Sequence, residues 1–313
     1  MSKPILVAGS LAYDRIMDFP GFFRDHFLAD HLHNINVSFM VSPPSVQFGG
    51  TGANIAYTLK LLGETADIAE CAGNDFVPFA DNLKTLGIST DLIQIHEDEP
   101  TASAFIITDQ GDNQITAFSE GAHGKKYEKN IDASKYGVAL IGTLTTENAL
   151  YIAGVCNKGG LPYFFDPGQK ITAYTTEELK QLTDGAKILF MNDYELRLIS
   201  DKTGWGESDL AKNVDTLIIT LGGEGSRVVT KDSEKKIEAA PVPKIVDPTG
   251  AGDAYRAGFL KGYVLGLPAE TCAKMGSVAG AYCVEVYGTQ KHHFTPDEFK
   301  KRYEETYHET VSF

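Results

Sequence analysis

Four short apolar runs, at 138–141, 163–165, 188–191 and 217–221, alternate with stretches of helical character. That alternation constrains the chain more than any bulk property, because it calls for β-α-β units and a mostly parallel sheet. Ile5-Leu6-Val7-Ala8-Gly9-Ser10 reads as a buried first strand followed by a glycine turn. Helical patterns start near Asn54 and stop at Gly63, and start near Pro78 and stop at Gly87. Two more, at 253–265 and 269–286, close the core, and 227–239 reads as a strand pair around Asp232-Ser233.

The region 13–48 differs, with an insertion around 22–33 and a strand-like piece, Asn36-Val37-Ser38-Phe39-Met40-Val41. Residues 102–108 and 114–118 flank Asp109-Gln110-Gly111-Asp112-Asn113, which reads as a hairpin turn. Both regions are assigned to a strand-rich lid.

The chain has 313 residues and a formal net charge of −14. One domain can hold this length. The charge speaks against a general nucleic-acid or membrane-surface binder, since polyanions repel an acidic protein. It leaves room for a nucleotide site built from backbone amides and a metal ion. Cys71, Cys156, Cys272 and Cys283 contain no C-x-x-C pair, which argues against zinc and thioredoxin-like chemistry. They read as free buried thiols in a reducing cytosol, so a cytoplasmic protein is expected. The apolar run at 5–8 is too short for a signal peptide, and no stretch has transmembrane length.

The chemistry concentrates in Asp247-Pro248-Thr249-Gly250-Ala251-Gly252-Asp253-Ala254-Tyr255-Arg256-Ala257-Gly258-Phe259. Gly250 and Gly252 let the backbone turn tightly against a ligand. The helix that follows aims its free N–H groups and positive dipole end at that turn, which suits a transferring phosphoryl group. Asp253 then stands where a carboxylate can take a proton from an attacking hydroxyl, a contribution of about 100- to 10,000-fold. A capping Asp in an ordinary helix start is the bland reading of the same residue.

The string closely resembles the C-terminal signature of the ribokinase-like (PfkB) carbohydrate and nucleoside kinases. Phe48-Gly49-Gly50-Thr51-Gly52-Ala53-Asn54-Ile55-Ala56 resembles the N-terminal signature of that family, Asn192-Asp193-Tyr194-Glu195 its N-x-x-E motif, and Thr220-Leu221-Gly222-Gly223-Glu224-Gly225 its nucleotide-binding turn. All four stand in the family order. Gly9-Ser10-Leu11-Ala12-Tyr13-Asp14, Asn36-Val37-Ser38-Phe39, Lys202-Thr203-Gly204-Trp205 and Gly288-Thr289-Gln290 are similar to the bacterial adenosine kinases within it.

The resemblance implies an α/β fold: a three-layer ribokinase-like core with a mostly parallel sheet and a small β-sheet lid. It implies one kinase domain over 1–313, with the lid at about 14–48 and 99–119. The implied reaction is transfer of the ATP γ-phosphate to the ribose 5′-hydroxyl of adenosine; the alternatives are a sugar kinase or an inosine–guanosine kinase. Asp253 would be the base, and Gly250, Ala251 and Gly252 the anion cradle. Asp14 would bind the ribose diol, with Gly49 and Gly50 against the sugar and Asn54 on a hydroxyl. Ser10, Ser38 and Gln169 would contact the nucleoside, and Phe118 would stack on the base.

Asn192 and Glu195 would arrange Mg²⁺ through water, although Asn with Glu three residues on is also a capped helix start. Thr220, Gly222 and Gly225 would line the ATP phosphates and ribose, and Ser277 its adenine. Asp247 and Thr249 would help hold a monovalent cation, K⁺. Arg256 meets a phosphate or pairs on the helix surface, two readings that stay open. A homodimer through the lid is also implied. The position that aligns with a base-stacking Phe in some adenosine kinases is Ala104, with Phe105 one place along and on the opposite face of a strand.

Other nucleotide folds fit less well. A dinucleotide-binding G-x-G-x-x-G fails, because Tyr255 and Ile55 occupy the third positions, and G-x-x-x-x-G-K-[ST] is missing. A binding module without catalysis would not need Asp253 behind its glycine cradle.

Overall fold

The structure, a computed structural model, describes residues 3–27, 36–111 and 113–313. In chain order its strands are β1 (Ile5–Ala8), β2 (Ala12–Asp18), β3 (Ser45–Gly49), β4 (Ala66–Ile68), β5 (Glu70–Gly73), β6 (Ile93–His96), β7 (Ala102–Thr108), β8 (Gln114–Ser119), β9 (Val138–Ile141), β10 (Tyr163–Phe165), β11 (Ile188–Asn192), β12 (Thr216–Thr220), β13 (Ser226–Val229) and β14 (Glu234–Ile237). The helices are α1 (Thr51–Leu61), α2 (Val77–Thr85), α3 (Thr146–Gly159), α4 (Thr176–Gly185), α5 (Asp193–Thr203), α6 (Glu207–Asn213), α7 (Ala251–Val264), α8 (Ala269–Val284) and α9 (Pro296–Tyr307). Among the described residues, no helix is long and apolar enough to cross a membrane.

The apolar runs form a main sheet in the order β14-β13-β12-β11-β10-β9-β1-β4. From β4 to β12 its neighbours are parallel, and β13 and β14 add an antiparallel edge. Alternate residues of each strand feed opposite layers. Leu6, Ala139, Phe165 and Leu189 meet Ile152 of α3, Leu179 of α4 and Ile199 of α5. Ile5, Leu140, Phe164 and Phe190 meet Ile55 of α1 and Phe259 of α7. Burial on both faces explains why these strands read as continuous apolar runs. The result is the expected three-layer α/β fold.

Strands β3-β2-β7-β8 form a separate four-stranded lid sheet. The 102–108 and 114–118 runs pair as the sequence suggests, and the Asp109 carboxylate accepts from the Gly111 and Asn113 amides at 2.8 and 2.9 Å to close the turn. Asp112 lies outside the described residues.

The strand-like piece at 36–41 is not a strand. The lid edge is instead β3, beyond Pro43-Pro44, which offer no amide hydrogen to a ladder. Phe39 is drawn into a ring cluster with Phe19 and Phe23, at 4.9 and 5.2 Å, which holds the segment by side-chain packing. Of the 22–33 insertion, the described part contains one 3₁₀ turn, Phe23–Asp25; the remainder from residue 28 lies outside the described residues.

Candidate active site

The cleft lies over the carboxyl ends of the parallel strands, where open α/β sheets take their ligands. At the start of α7, Gly250 adopts φ +78°, and the Thr289 side chain stands 3.0 Å from where its Cβ would be. Only glycine turns there without strain. Asp247 braces the turn: Oδ1 accepts from the Thr249 amide at 2.9 Å and Oδ2 from the Gly288 amide at 3.0 Å. The Ala251 amide donates to the Pro248 carbonyl at 3.2 Å.

Asp253 sits two residues beyond Ala251, in the first turn of α7. Its Oδ2 accepts from Asn54 Nδ2 of α1 at 2.8 Å. Burial pushes its carboxyl up to about 7; Asn54 and the Arg256 guanidinium pull it down, and Asp166 and Asp14 push it up. A carboxyl poised there takes a proton readily and is still ionised in part at neutral pH.

Arg256 does not pair on the helix surface. It is buried, with Nε donating to Asp166 Oδ2 at 2.8 Å and Nη2 to Asp166 Oδ1 at 3.1 Å. Its guanidinium lies over the Phe190 ring at 5.2 Å, and Nη1 reaches the Gly252 carbonyl at 3.4 Å. An Arg on a helix surface has no reason to lose its water; this one is held by a bidentate carboxylate behind the glycine turn.

On the lid, Gln47, Asp14, Ala104 and Phe118 are successive cross-strand partners, so they share one face. That face looks at the α7 turn: a side chain at Gly288 would strike Gln47 Oε1. Burial and then the Asp247 carboxylate push Asp14 up to about 6. A Cβ at Gly49 would overlap the Asp14 carboxylate, and Gly50, at φ +90°, lies against the Ser10 carbonyl. The Ser10 hydroxyl accepts from the Thr51 amide at 3.1 Å and joins the Thr51 and Thr143 hydroxyls at 3.3 Å each. Phe118 is 49% exposed, with the His123 ring edge-on at 6.4 Å. Phe105 is on the other face, under the Arg15 guanidinium at 5.8 Å.

On the nucleotide side, Asn192 and Thr220 end the adjacent strands β11 and β12 and stand opposite each other. Asn192 and Glu195 form a reciprocal capping box: Glu195 N–H donates to Asn192 Oδ1, and Asn192 N–H to Glu195 Oε2, both at 2.7 Å. The structural reading of N-x-x-E is therefore present, and it leaves Glu195 Oε1 outside the box. Burial, then the Asp166 charge, raise the Glu195 carboxyl. Gly222 and Gly225 bend the next turn at φ +55° and +92°. Among the described residues, no three His, Cys, Asp or Glu side chains gather to cage a metal.

Three further expected contacts make no hydrogen bond to this cluster among the described residues. Ser38 is exposed in an irregular segment, and Gln169 is exposed in the 3₁₀ turn Gly168–Ala173. The Ser277 hydroxyl on α8 accepts from the Ala240 amide at 2.8 Å. Conversely, Asp166, Gln290, Thr51 and Thr143 carry no role assigned from sequence, although Thr51 and Gln290 lie within the family-like strings. Asp166-Pro167-Gly168 at the end of a buried run was the available signal for the first; the partners of the others lie 41 to 236 residues away in sequence.

The match with the family of pfkB carbohydrate kinases spans residues 12–295. The chain belongs to that family, and it is an ATP-dependent phosphotransferase with an alcohol group as acceptor. Among its relatives, the nucleoside kinase of Methanocaldococcus jannaschii is 33% identical over 89% of this chain and 95% of that one. The solved structure of that archaeal enzyme superposes with a TM-score of 0.88, covering 97% of this chain and 99% of the other, at 32% identity. The nucleoside kinase of Burkholderia thailandensis in complex with inosine superposes at 0.85, covering 98% and 99%, with 34% identity.

Proposed function

We propose that this protein transfers the γ-phosphoryl group of ATP to the ribose 5′-hydroxyl of a purine nucleoside, adenosine or inosine, with Asp253 as the base. The observation that carries the reading is the shared lid face: a carboxylate for a vicinal diol, Asp14, and an exposed ring, Phe118, are joined in one cross-strand row. A sugar kinase has use for the first but not for the second. Support for inosine beside adenosine comes from the Burkholderia relative, whose structure contains inosine.

In this reading the lid and core shut out water, so that the sugar hydroxyl attacks phosphorus instead. The ionised Asp253 takes the proton from that hydroxyl. Amides of Gly250, Ala251 and Gly252 then stabilise the transferring group, the Ala251 amide leaving Pro248 to do so. Asn54 has a second amide hydrogen for the sugar. Thr220, Gly222 and Gly225 hold the phosphates and ribose of ATP, and Ser277 lies beside its adenine.

Glu195 Oε1 and the neighbouring Asn192 offer oxygen donors too few for a metal cage, which fits a Mg²⁺ ion that arrives on the ATP phosphates and keeps its water. When bound, that ion neutralises charge on the β- and γ-phosphates. Each Asp247 oxygen already accepts one backbone amide, so Asp247 and Thr249 have a remaining lone pair to give K⁺, a requirement tested by exchange for Na⁺. We assign the lid to about 14–48 and 99–119 of a single domain. A homodimer through the lid would cover Val46 and Phe105, which are 50% and 42% exposed on the outer face, and sedimentation at several concentrations tests it.

The deciding assay is ATP-dependent phosphorylation of adenosine, inosine, guanosine, cytidine, ribose and fructose. Turnover of adenosine or inosine at least about 10-fold above ribose and fructose is the expected result, as base stacking alone contributes that much. Preference for a free sugar would overturn the nucleoside assignment.

A further inference from the structure

A chain of side-chain amides leads away from Asp253. Asn54 Nδ2 donates to Asp253 Oδ2 at 2.8 Å, and Gln290 Nε2 donates to Asn54 Oδ1 at 3.0 Å. The three residues come from α1, α7 and the loop after α8, and Asn54 is buried. We infer that Gln290 is a positioning residue for phosphoryl transfer: it fixes the orientation of the Asn54 amide, and through it the Asp253 carboxylate. The inference rests on Asp253 being the base.

The direction of the chain follows from its end. An ionised carboxylate only accepts, so Asn54 must present its NH₂ to Asp253 and its carbonyl oxygen away from it. That oxygen needs a donor, or the amide turns over at little cost and brings a negative dipole against the carboxylate. Gln290 supplies the donor. Among the described residues its own Oε1 has no hydrogen-bond partner, so the donated bond to Asn54 is what the side chain offers at this spot.

The backbone around Gln290 has the same address. Gly288 N–H holds Asp247 at 3.0 Å, and Thr289 stands 3.0 Å from the Cβ position of Gly250. One short loop therefore meets the glycine turn at its start, at its apex and, through Asn54, at the base. With Oδ2 occupied by Asn54, Asp253 Oδ1 is left for the proton of the substrate. The Asn54 bond also opposes the upward push of burial on Asp253.

Gln290→Leu removes the donor with little change of volume. It is expected to lower kcat about 10-fold, the worth of one oriented hydrogen bond to a charged group. KM for the nucleoside rises less than kcat falls, because the Asp14 and Phe118 contacts are untouched and Asn54 loses only part of its hold on the sugar. The acid limb of the kcat–pH profile moves up by about half a unit, as Asp253 loses part of what keeps it ionised. Gln290→Glu, an acceptor at neutral pH, lowers kcat further, and its deficit relative to the parent at the same pH narrows as the pH falls; it serves as the second variant if Gln290→Leu does not fold.

A residue that only supports packing gives the same loss in any background. Gln290→Leu added to Asn54→Ala is instead expected to change kcat by less than about 2-fold, since there is no longer an amide to orient. Unchanged kcat and pH profile in Gln290→Leu, or a full loss on top of Asn54→Ala, overturns the inference. Asp253→Asn separates the two levels: if it abolishes turnover while Gln290→Leu does nothing, the base stands and the positioning role falls. If Asp253→Asn keeps normal turnover, both fall.

Discussion

The two ends of the cleft are built differently. At the glycine turn the charged side chains are held: Asp253 by Asn54, Arg256 by Asp166, Asp247 by two backbone amides. On the lid, the row that would read the substrate ends in a half-exposed Phe118 beside a small Ala104. One end is set before anything binds, and the other offers surface to be covered. Phosphoryl transfer needs charge held in place ahead of time, because reorganising dipoles during reaction adds to the barrier. Recognition of a base needs a face that can be stacked on and an edge that can adapt.

Substitutions should divide along that line. The largest effect is expected from Asp253→Asn, with turnover down at least about 100-fold and nucleoside affinity, measured by calorimetry, little changed. The same variant should melt higher than the parent at pH 8. The folded-state carboxyl is raised to about 7, so between about pH 4 and 7 the unfolded chain ionises first and stability falls with rising pH. Asn removes that penalty. A melting temperature that drops would show that burial of the charge is not what perturbs Asp253.

Next comes Arg256→Met. It leaves Asp166 buried without its counter-charge, and loss of one partner of such a pair costs about 3–5 kcal/mol. Urea unfolding should show a loss of that order, and the acid limb of activity should move up as Asp253 loses a nearby cation. In the parent, activity should rise with pH through about 7, since the base works ionised. A flat profile between pH 6 and 8 would remove Asp253 from the role.

The lid variants should act on binding. Asp14→Ala is expected to raise KM for nucleoside by about 10- to 100-fold through lost bonds to the ribose diol, with kcat much less affected. Phe118→Ala should raise KM about 10-fold for purine nucleosides and leave ribose alone unchanged. If both lid variants instead reduce kcat as strongly as Asp253→Asn, the division between a chemical and a recognising end is wrong.

Much of this was legible in the chain. The apolar runs became the parallel sheet because both faces of a covered strand must be apolar, and that requirement is local. The glycine turn with Asp253 was legible because positive φ and close approach demand glycine at Gly250. The piece at 36–41 was not. Its alternation suits a strand, but Phe39 found ring partners at Phe19 and Phe23, a choice made by tertiary contacts.

Arg256 divides the two kinds of information. Sequence determined that a cation follows Asp253 by three positions. Whether it faces solvent, a phosphate or the interior depended on Asp166, 90 residues away, at the end of a strand that lies under α7. Asn54 and Gln290 are separated by 236 positions and touch only because α1 and the loop after α8 converge on α7. Residue type and spacing decided which groups this protein has for chemistry. The packing of helices across the sheet decided which of them meet, because hydrogen bonds of about 3 Å are set by how layers dock and not by neighbours in the chain.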